Sequence, residues 1–133
     1  MYSYHPPLHD MHFLLTHCSP KQNHDLDELK MVLEQASKFA EQELAPVNGQ
    51  GDIEGCKYIE GSVTLPRVTR EAFKSYVTAG WMGICMPEVW GGQALPETIG
   101  SKVGEMITSA NHAISMTSAL TMSACKALIA FGN

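Results

Sequence analysis

Between Asp25 and Pro46 the apolar residues Leu26, Leu29, Val32, Leu33, Ala36, Phe39, Ala40 and Leu44 recur at helical spacing. Asp25 reads as an N-cap with Glu28 at the capping-box position, and Pro46 is expected to end the segment. An amphipathic helix of this length must have its apolar stripe covered, so the fold depends on what the other segments offer. From Pro66 to Ala79 the pattern Val68, Ala72, Phe73, Tyr76, Val77 is again helical. Gly80 suits the left-handed residue that follows a helix, with Trp81 placed to pack back on the last turn. Pro96 opens a third helix with an apolar face of Ile99, Val103, Met106, Ile107 and Ala110, ending near Asn111-His112.

The fourth helical segment, about Ile114 to Phe131, has no polar face. Ser115, Thr117, Ser118, Thr121, Ser123 and Lys126 dilute it too far for a membrane span, so it is expected to be a buried helix whose small residues let neighbours approach closely. It also carries more apolar surface than three neighbours in so short a chain can cover. Residues 47 to 65 hold Gly49, Gly51, Gly55 and Gly61 among polar residues and read as a long loop with a brief extended piece. Residues 1 to 24 read as an N-terminal extension: Pro6-Pro7 is a stiff entry, and Met11 to Leu15 form a short apolar helix that ends at Ser19-Pro20 and packs on the body. The fold class is therefore all-α, a helical bundle with a short N-terminal extension.

A chain of 133 residues holds one domain, 44% hydrophobic and with 17% charged residues, fewer than the roughly 25% of a typical soluble domain. The net charge of −5 and the scattered basic residues exclude a nucleic-acid footprint. Cys18, Cys56, Cys85 and Cys125 show no C-x-x-C spacing and no signal peptide opens the chain, which is the pattern of reduced thiols in a cytoplasmic protein.

The motifs of self-contained catalysis are missing. There is no Gly-x-Ser-x-Gly elbow, no Walker loop and no Gly-x-Gly-x-x-Gly, and Gly91-Gly92 follows a proline-bounded loop rather than a strand. His5, His9, His12 and Asp10 have the chemistry of metal ligands, but Pro6-Pro7 prevents His5 and His9 from sharing a helix face, so no metal site is expected. Glu88 beside a tryptophan has the look of a general base; the plainer reading, a loop carboxylate next to glycines chosen for backbone conformation, is preferred.

The stretch Ala79-Gly-Trp-Met-Gly-Ile-Cys-Met-Pro-Glu-Val-Trp-Gly-Gly92, together with Phe39-Ala-Glu-Gln-Glu-Leu-Ala-Pro46 and Ala127-Leu-Ile-Ala-Phe-Gly132, resembles the N-terminal helical domain of the acyl-CoA dehydrogenase family. The opening Tyr4-x-Pro-Pro-Leu-x-Asp-Met-x-Phe-x-Leu15 resembles an extension on a larger bacterial branch that includes 3-methylthiopropionyl-CoA dehydrogenase-like enzymes. The resemblance assigns residues 25 to 133 to that domain, with the family's β and C-terminal domains absent.

It implies FAD-dependent α,β-desaturation of an acyl-CoA thioester, in which a glutamate of the C-terminal domain removes the α-proton, the β-hydride passes to the flavin and electrons leave to an electron-transfer flavoprotein. Within this chain no catalytic residue is expected, FAD is expected to bind mostly outside it, and the chain alone is expected to be inactive. The resemblance places one wall of the acyl pocket here, at Met116, Ala119, Leu120 and Ser123 of the fourth helix, and gives Pro87, Glu88, Gly91 and Gly92 an architectural role in their loop. It implies a homo-oligomer at full length. From another functional class, a non-catalytic helical interaction module derived from the same domain fits the same residues.

Overall fold

A computed structural model describes residues 3–20 and 23–132. Among them are six α-helices in the order α1 Leu8–His17, α2 Leu26–Phe39, α3 Ala45–Glu54, α4 Arg67–Thr78, α5 Glu97–Ala110 and α6 His112–Phe131, with a hairpin, β1 Lys57–Ile59 and β2 Ser62–Thr64, between α3 and α4. The expected helical bundle is what forms, and the two short strands do not change its class.

At the centre α5 packs between α2 and α6. Its Ile99, Val103, Met106, Ile107 and Ala110 meet Leu29, Leu33 and Ala36 of α2 in one apolar core, so the stripe read for α5 is buried and so is most of that read for α2, whose first residue Leu26 stays exposed, as does Val77 of α4. Asp25 caps α2 as anticipated, its carboxylate accepting from the amides of Asp27 and Glu28 at 2.8 and 3.2 Å. In the extension, of which residues 1, 2, 21 and 22 lie outside the described residues, Met11 and Leu15 are buried against the body beside α2.

Two expectations fail in one place. Pro46 does not end the helix, and residues 47–54 of the expected loop are helical, within α3. The chain widens instead into a π-helical turn, Ala40–Leu44, in which the Ala45 amide donates to the Ala40 carbonyl five residues back. The wider turn lets a residue without an N–H enter: Pro46 falls in the first turn of α3, where a missing donor costs nothing, and the helix resumes. Gly51 lets α3 come close to Thr69 of α4, which offsets the weak propensity of a glycine-bearing helix.

The rest of the expected loop closes as an antiparallel hairpin with Lys57 opposite Thr64, Tyr58 opposite Val63 and Ile59 opposite Ser62. Its two turn residues, Glu60 and Gly61, both have positive φ, at 48° and 82°, as a two-residue turn of this hand requires.

α5 and α6 are joined through a single extended residue, Asn111, which is 2% exposed. Its Oδ1 accepts from the Ile114 amide at 3.2 Å, capping α6, and its Nδ2 donates to the Leu44 carbonyl at 3.2 Å, at the end of the π-helical turn. From there α6 runs with only Ile114 and Ser118 fully buried; Leu120, Leu128 and Phe131 are exposed. A buried α6 is thus corrected: within this chain most of the helix has no cover. Among the described residues it is the one helix long and apolar enough, by length and composition, to cross a membrane.

Replacing Asn111 by alanine removes the cap and leaves the Leu44 carbonyl short of a donor in a buried place. The expected loss is about 2–3 kcal/mol of stability, read as a lower denaturant midpoint with an unchanged slope. Asn111→Asp, which keeps the cap acceptor but sets a buried carboxylate oxygen against the Leu44 carbonyl, should recover none of that loss at neutral pH.

Candidate functional site

Gly80, with φ 80°, ends α4 in the left-handed region and turns the chain into the short 3₁₀ segment Trp81–Gly83. A second such segment, Glu88–Trp90, begins behind Pro87 and is ended by Gly91 at φ 79°. The chain then comes back on itself: the amides of Gly92, Gln93, Ala94 and Leu95 donate to the carbonyls of Pro87, Gly83, Met86 and Ile84 at 2.9–3.1 Å. The Gln93 side-chain amide adds a bond to the Gly80 carbonyl at 3.1 Å.

The paired glycines do two different things. Gly91 supplies the positive φ, whereas a Cβ on Gly92 would overlap the backbone of Met86, so the returning chain fits only without a side chain there. Pro87 and Glu88 serve through their backbone, the Glu88 carbonyl accepting from Gly91 at 2.8 Å, while the Glu88 carboxylate is exposed.

This closed loop holds Trp81, Met82, Ile84, Cys85 and Met86 against α5 and α6, and between them lies a half-open groove of about 290 Å³. Val103, Gly104 and Ile107 of α5 form one side; Ser115, Ser118, Ala119, Met122 and Lys126 of α6 form another, and Tyr76 of α4 closes a corner. The groove follows the α5–α6 seam between two polar ends. At one end the Thr108 and Ser115 hydroxyls are bonded at 2.7 Å; at the other the Lys126 ammonium sits on both carboxylate oxygens of Glu97 at 2.7 and 2.8 Å. Ser118 approaches the Tyr76 hydroxyl at 3.5 Å.

The groove offers little for covalent chemistry. The Cys85 thiol, 3.7 Å from the Pro96 carbonyl, has its pKa pushed up by burial and then by the Glu97 charge, against smaller opposing effects of Lys126 and a backbone hydrogen bond at Gly100. A raised thiol pKa leaves the sulfur protonated at neutral pH, so Cys85 is a small apolar wall rather than a nucleophile. The Trp81 indole N–H is buried without a hydrogen-bond partner among the described residues and is the one unspent donor on the groove wall whose burial is complete. The Trp81 ring itself leans on Phe39 with centroids 5.9 Å apart.

The N-terminal histidines separate, His5 lying 3.5 Å from Glu41 and His9 3.5 Å from Asp10. Among the described residues no three metal-ligating side chains converge.

All four α6 residues selected from sequence, Met116, Ala119, Leu120 and Ser123, are exposed, Met116 at 51% and Leu120 at 74%. At about 100° per residue they share an arc of roughly 100° on the helix, and the groove-lining residues of α6 share the adjoining arc. Ala119 belongs to both. Sequence reasoning did not single out Ser115, Ser118 and Lys126, nor join the loop to two helices in one groove. Methionine side chains fill irregular space, so Met82, Met86, Met106, Met116 and Met122 read in the sequence as able to line an adaptable apolar pocket but more simply as core, those of the fourth helix excepted; Met82, Met86 and Met122 do line the groove.

The sequence profile of the acyl-CoA dehydrogenase N-terminal domain matches residues 26–133. Among curated proteins the chain is similar to 3-methylmercaptopropionyl-CoA dehydrogenase of Ruegeria pomeroyi (strain ATCC 700808 / DSM 15171 / DSS-3), at 29% identity over 140 residues. That match takes in 98% of this chain and 24% of the relative, so the chain spans about a quarter of its length.

Replacing Gly91 by valine strains a positive-φ position, and replacing Gly92 by valine forces the returning chain off Met86. Each should cost about 1–3 kcal/mol in thermal or denaturant unfolding, Gly92→Val the more, while Glu88→Gln leaves stability within about 0.5 kcal/mol of the parent.

Proposed function

The chain belongs to the acyl-CoA dehydrogenase family, whose N-terminal domain it carries, and from that premise we propose that it is part of an FAD-dependent enzyme that desaturates the α,β bond of an acyl-CoA thioester. Its role is to form one wall of the acyl pocket, with Met116, Ala119, Leu120 and Ser123 on the tail of the substrate. The observation that carries this reading is the exposed arc of α6: a helix apolar on all sides, anchored at its first turn by Asn111 and uncovered beyond Ser118. A contiguous exposed apolar surface of this kind marks a place where a ligand or another apolar surface lies.

FAD supplies the hydride acceptor when bound. The glycine loop does not fit it, because the amides of Gly91, Gly92 and Gln93 are spent on carbonyls of their own loop and leave no cradle for a pyrophosphate. We therefore place the cofactor's phosphates, the α-proton base and the contact with an electron-transfer flavoprotein on parts of the family fold outside these residues. A cytoplasmic homo-oligomer belongs to the same proposal.

What this chain does is physical. The α6 arc removes water from the acyl tail, and every methylene held there contributes about 0.8 kcal/mol to binding. Fixing the tail positions the α and β carbons at the distant reacting groups, so tail contacts count in turnover as well as in affinity. The substrate for which the bacterial relative is named, a methylmercaptopropionyl thioester, has a short tail ending in a thioether. A short tail of that chemistry suits walls that include Met82, Met86 and Met122, whose polarizable sulfurs adapt to irregular ligands.

The test uses the FAD-loaded protein that carries this chain together with the family's remaining domains. Ala119→Phe and Ser123→Phe should lower kcat/KM more for long acyl groups than for short ones, by roughly fourfold for each methylene excluded, with the flavin spectrum unchanged. An equal loss at all chain lengths would contradict the wall. A chain that binds another protein through this arc, and no thioester, would be the interaction module instead.

A further inference from the structure

The end of the groove is charged where its walls are apolar. Lys126 lies on the α6 arc one turn beyond Ser123 and two turns beyond Ala119, the residue common to the groove and the exposed arc. Its ammonium bridges 29 positions back in the chain to Glu97, the first residue of α5, so that the pair spans the mouth of the α5–α6 seam. A carboxylate at a helix N-terminus is favoured by the helix dipole, which holds Glu97 at this end.

Both charges face inward as well as outward. Each acts on the Cys85 thiol within the groove, Glu97 raising its pKa and Lys126 lowering it. The two side chains are 49% and 66% exposed, so the bridge is hydrated and can be parted, unlike a wall of packed side chains.

We propose that the Lys126–Glu97 bridge is the specificity-determining stop of the acyl site: it admits a short acyl tail between Met82, Met86, Ala119 and Met122 and turns away a longer one. The proposal rests on the reading of α6 as an acyl-pocket wall. Its physical basis is that an alkyl tail reaching the bridge must strip water from two charges and gains no apolar contact in return. A tail that ends among the methionine side chains meets only apolar surface. The substrate class is accordingly a short acyl thioester, and the stop is set by two residues on the surface rather than by the volume of the core.

The test titrates butanoyl, octanoyl and dodecanoyl pantetheine thioesters into the protein that carries this chain together with the family's remaining domains, its flavin reduced so that no turnover occurs and its methionine methyls labelled with carbon-13, and reads the shifts of Met82, Met86, Met116 and Met122. With the bridge intact, affinity should not rise from butanoyl to dodecanoyl. Lys126→Met and Glu97→Gln should each raise affinity for the two longer tails about tenfold or more and leave butanoyl within about twofold. The charge-swapped pair Lys126→Glu with Glu97→Lys, which rebuilds the bridge with its charges exchanged, should restore the discrimination.

Binding of all tails with the same ratios in the parent and both single variants overturns the stop alone and leaves the acyl wall standing. Failure of every thioester to move any of the four methyls, in parent and variants, overturns the stop and the wall together.

Discussion

The hydrogen bond from the Asn111 amide to the Leu44 carbonyl joins the two irregular points on which this fold turns. On one side is the π-helical turn Ala40–Leu44, which carries α2 past Pro46 into α3; on the other is the one-residue hinge between α5 and α6. The same asparagine caps α6 through Ile114. Because both polar groups of its side chain are used in a place 2% exposed, the start of α6 has one direction available relative to the core. That direction sends the helix along α5 with one arc on the groove and the next arc toward solvent.

The consequence for function is a division of labour along α6. Ile114 and Ser118 anchor it. Ala119 and Met122 meet the groove, whose other side is held by the loop that Gly80, Gly91 and Gly92 permit. Met116, Leu120 and the residues toward Phe131 are uncovered. The glycine loop is a positioning device, since its amides close on its own carbonyls and its role is to present Trp81 through Met86 to the helices.

Much of this was legible in the sequence wherever apolar residues were spaced unevenly around a helix. The stripes of α2 and α5 have a polar side, so burial of Leu29, Leu33, Ile99, Val103 and Met106 followed from spacing. α3 was missed because Pro46, Gly49 and Gly51 each speak against a helix locally, and what offsets them, a widened turn before the proline and close packing on Thr69, is not a local property. Of the hairpin only a brief extended piece was legible, because Glu60, which takes a positive φ, is not a residue that advertises a two-residue turn. In α6 the difficulty was the reverse: with apolar and small residues on every side, spacing could not say which face is inward. The structure buries Ser118 and exposes Leu120. The groove needed the loop and two helices brought together, for which no single stretch of sequence carries a signal.

The central claim is that the α6 arc meeting at Ala119 is one wall of an acyl pocket. Intermolecular nuclear Overhauser effects from a carbon-13-labelled butanoyl thioester to the full-length protein test it most directly. The account predicts transfer from the acyl methylenes to the Ala119 methyl and to the methyls of Met116 and Met122, and its loss in Ala119→Phe. Transfer confined to exposed apolar residues elsewhere, such as Val89 and Trp90 at the loop tip or Tyr58 of the hairpin, with none at Ala119, would contradict it.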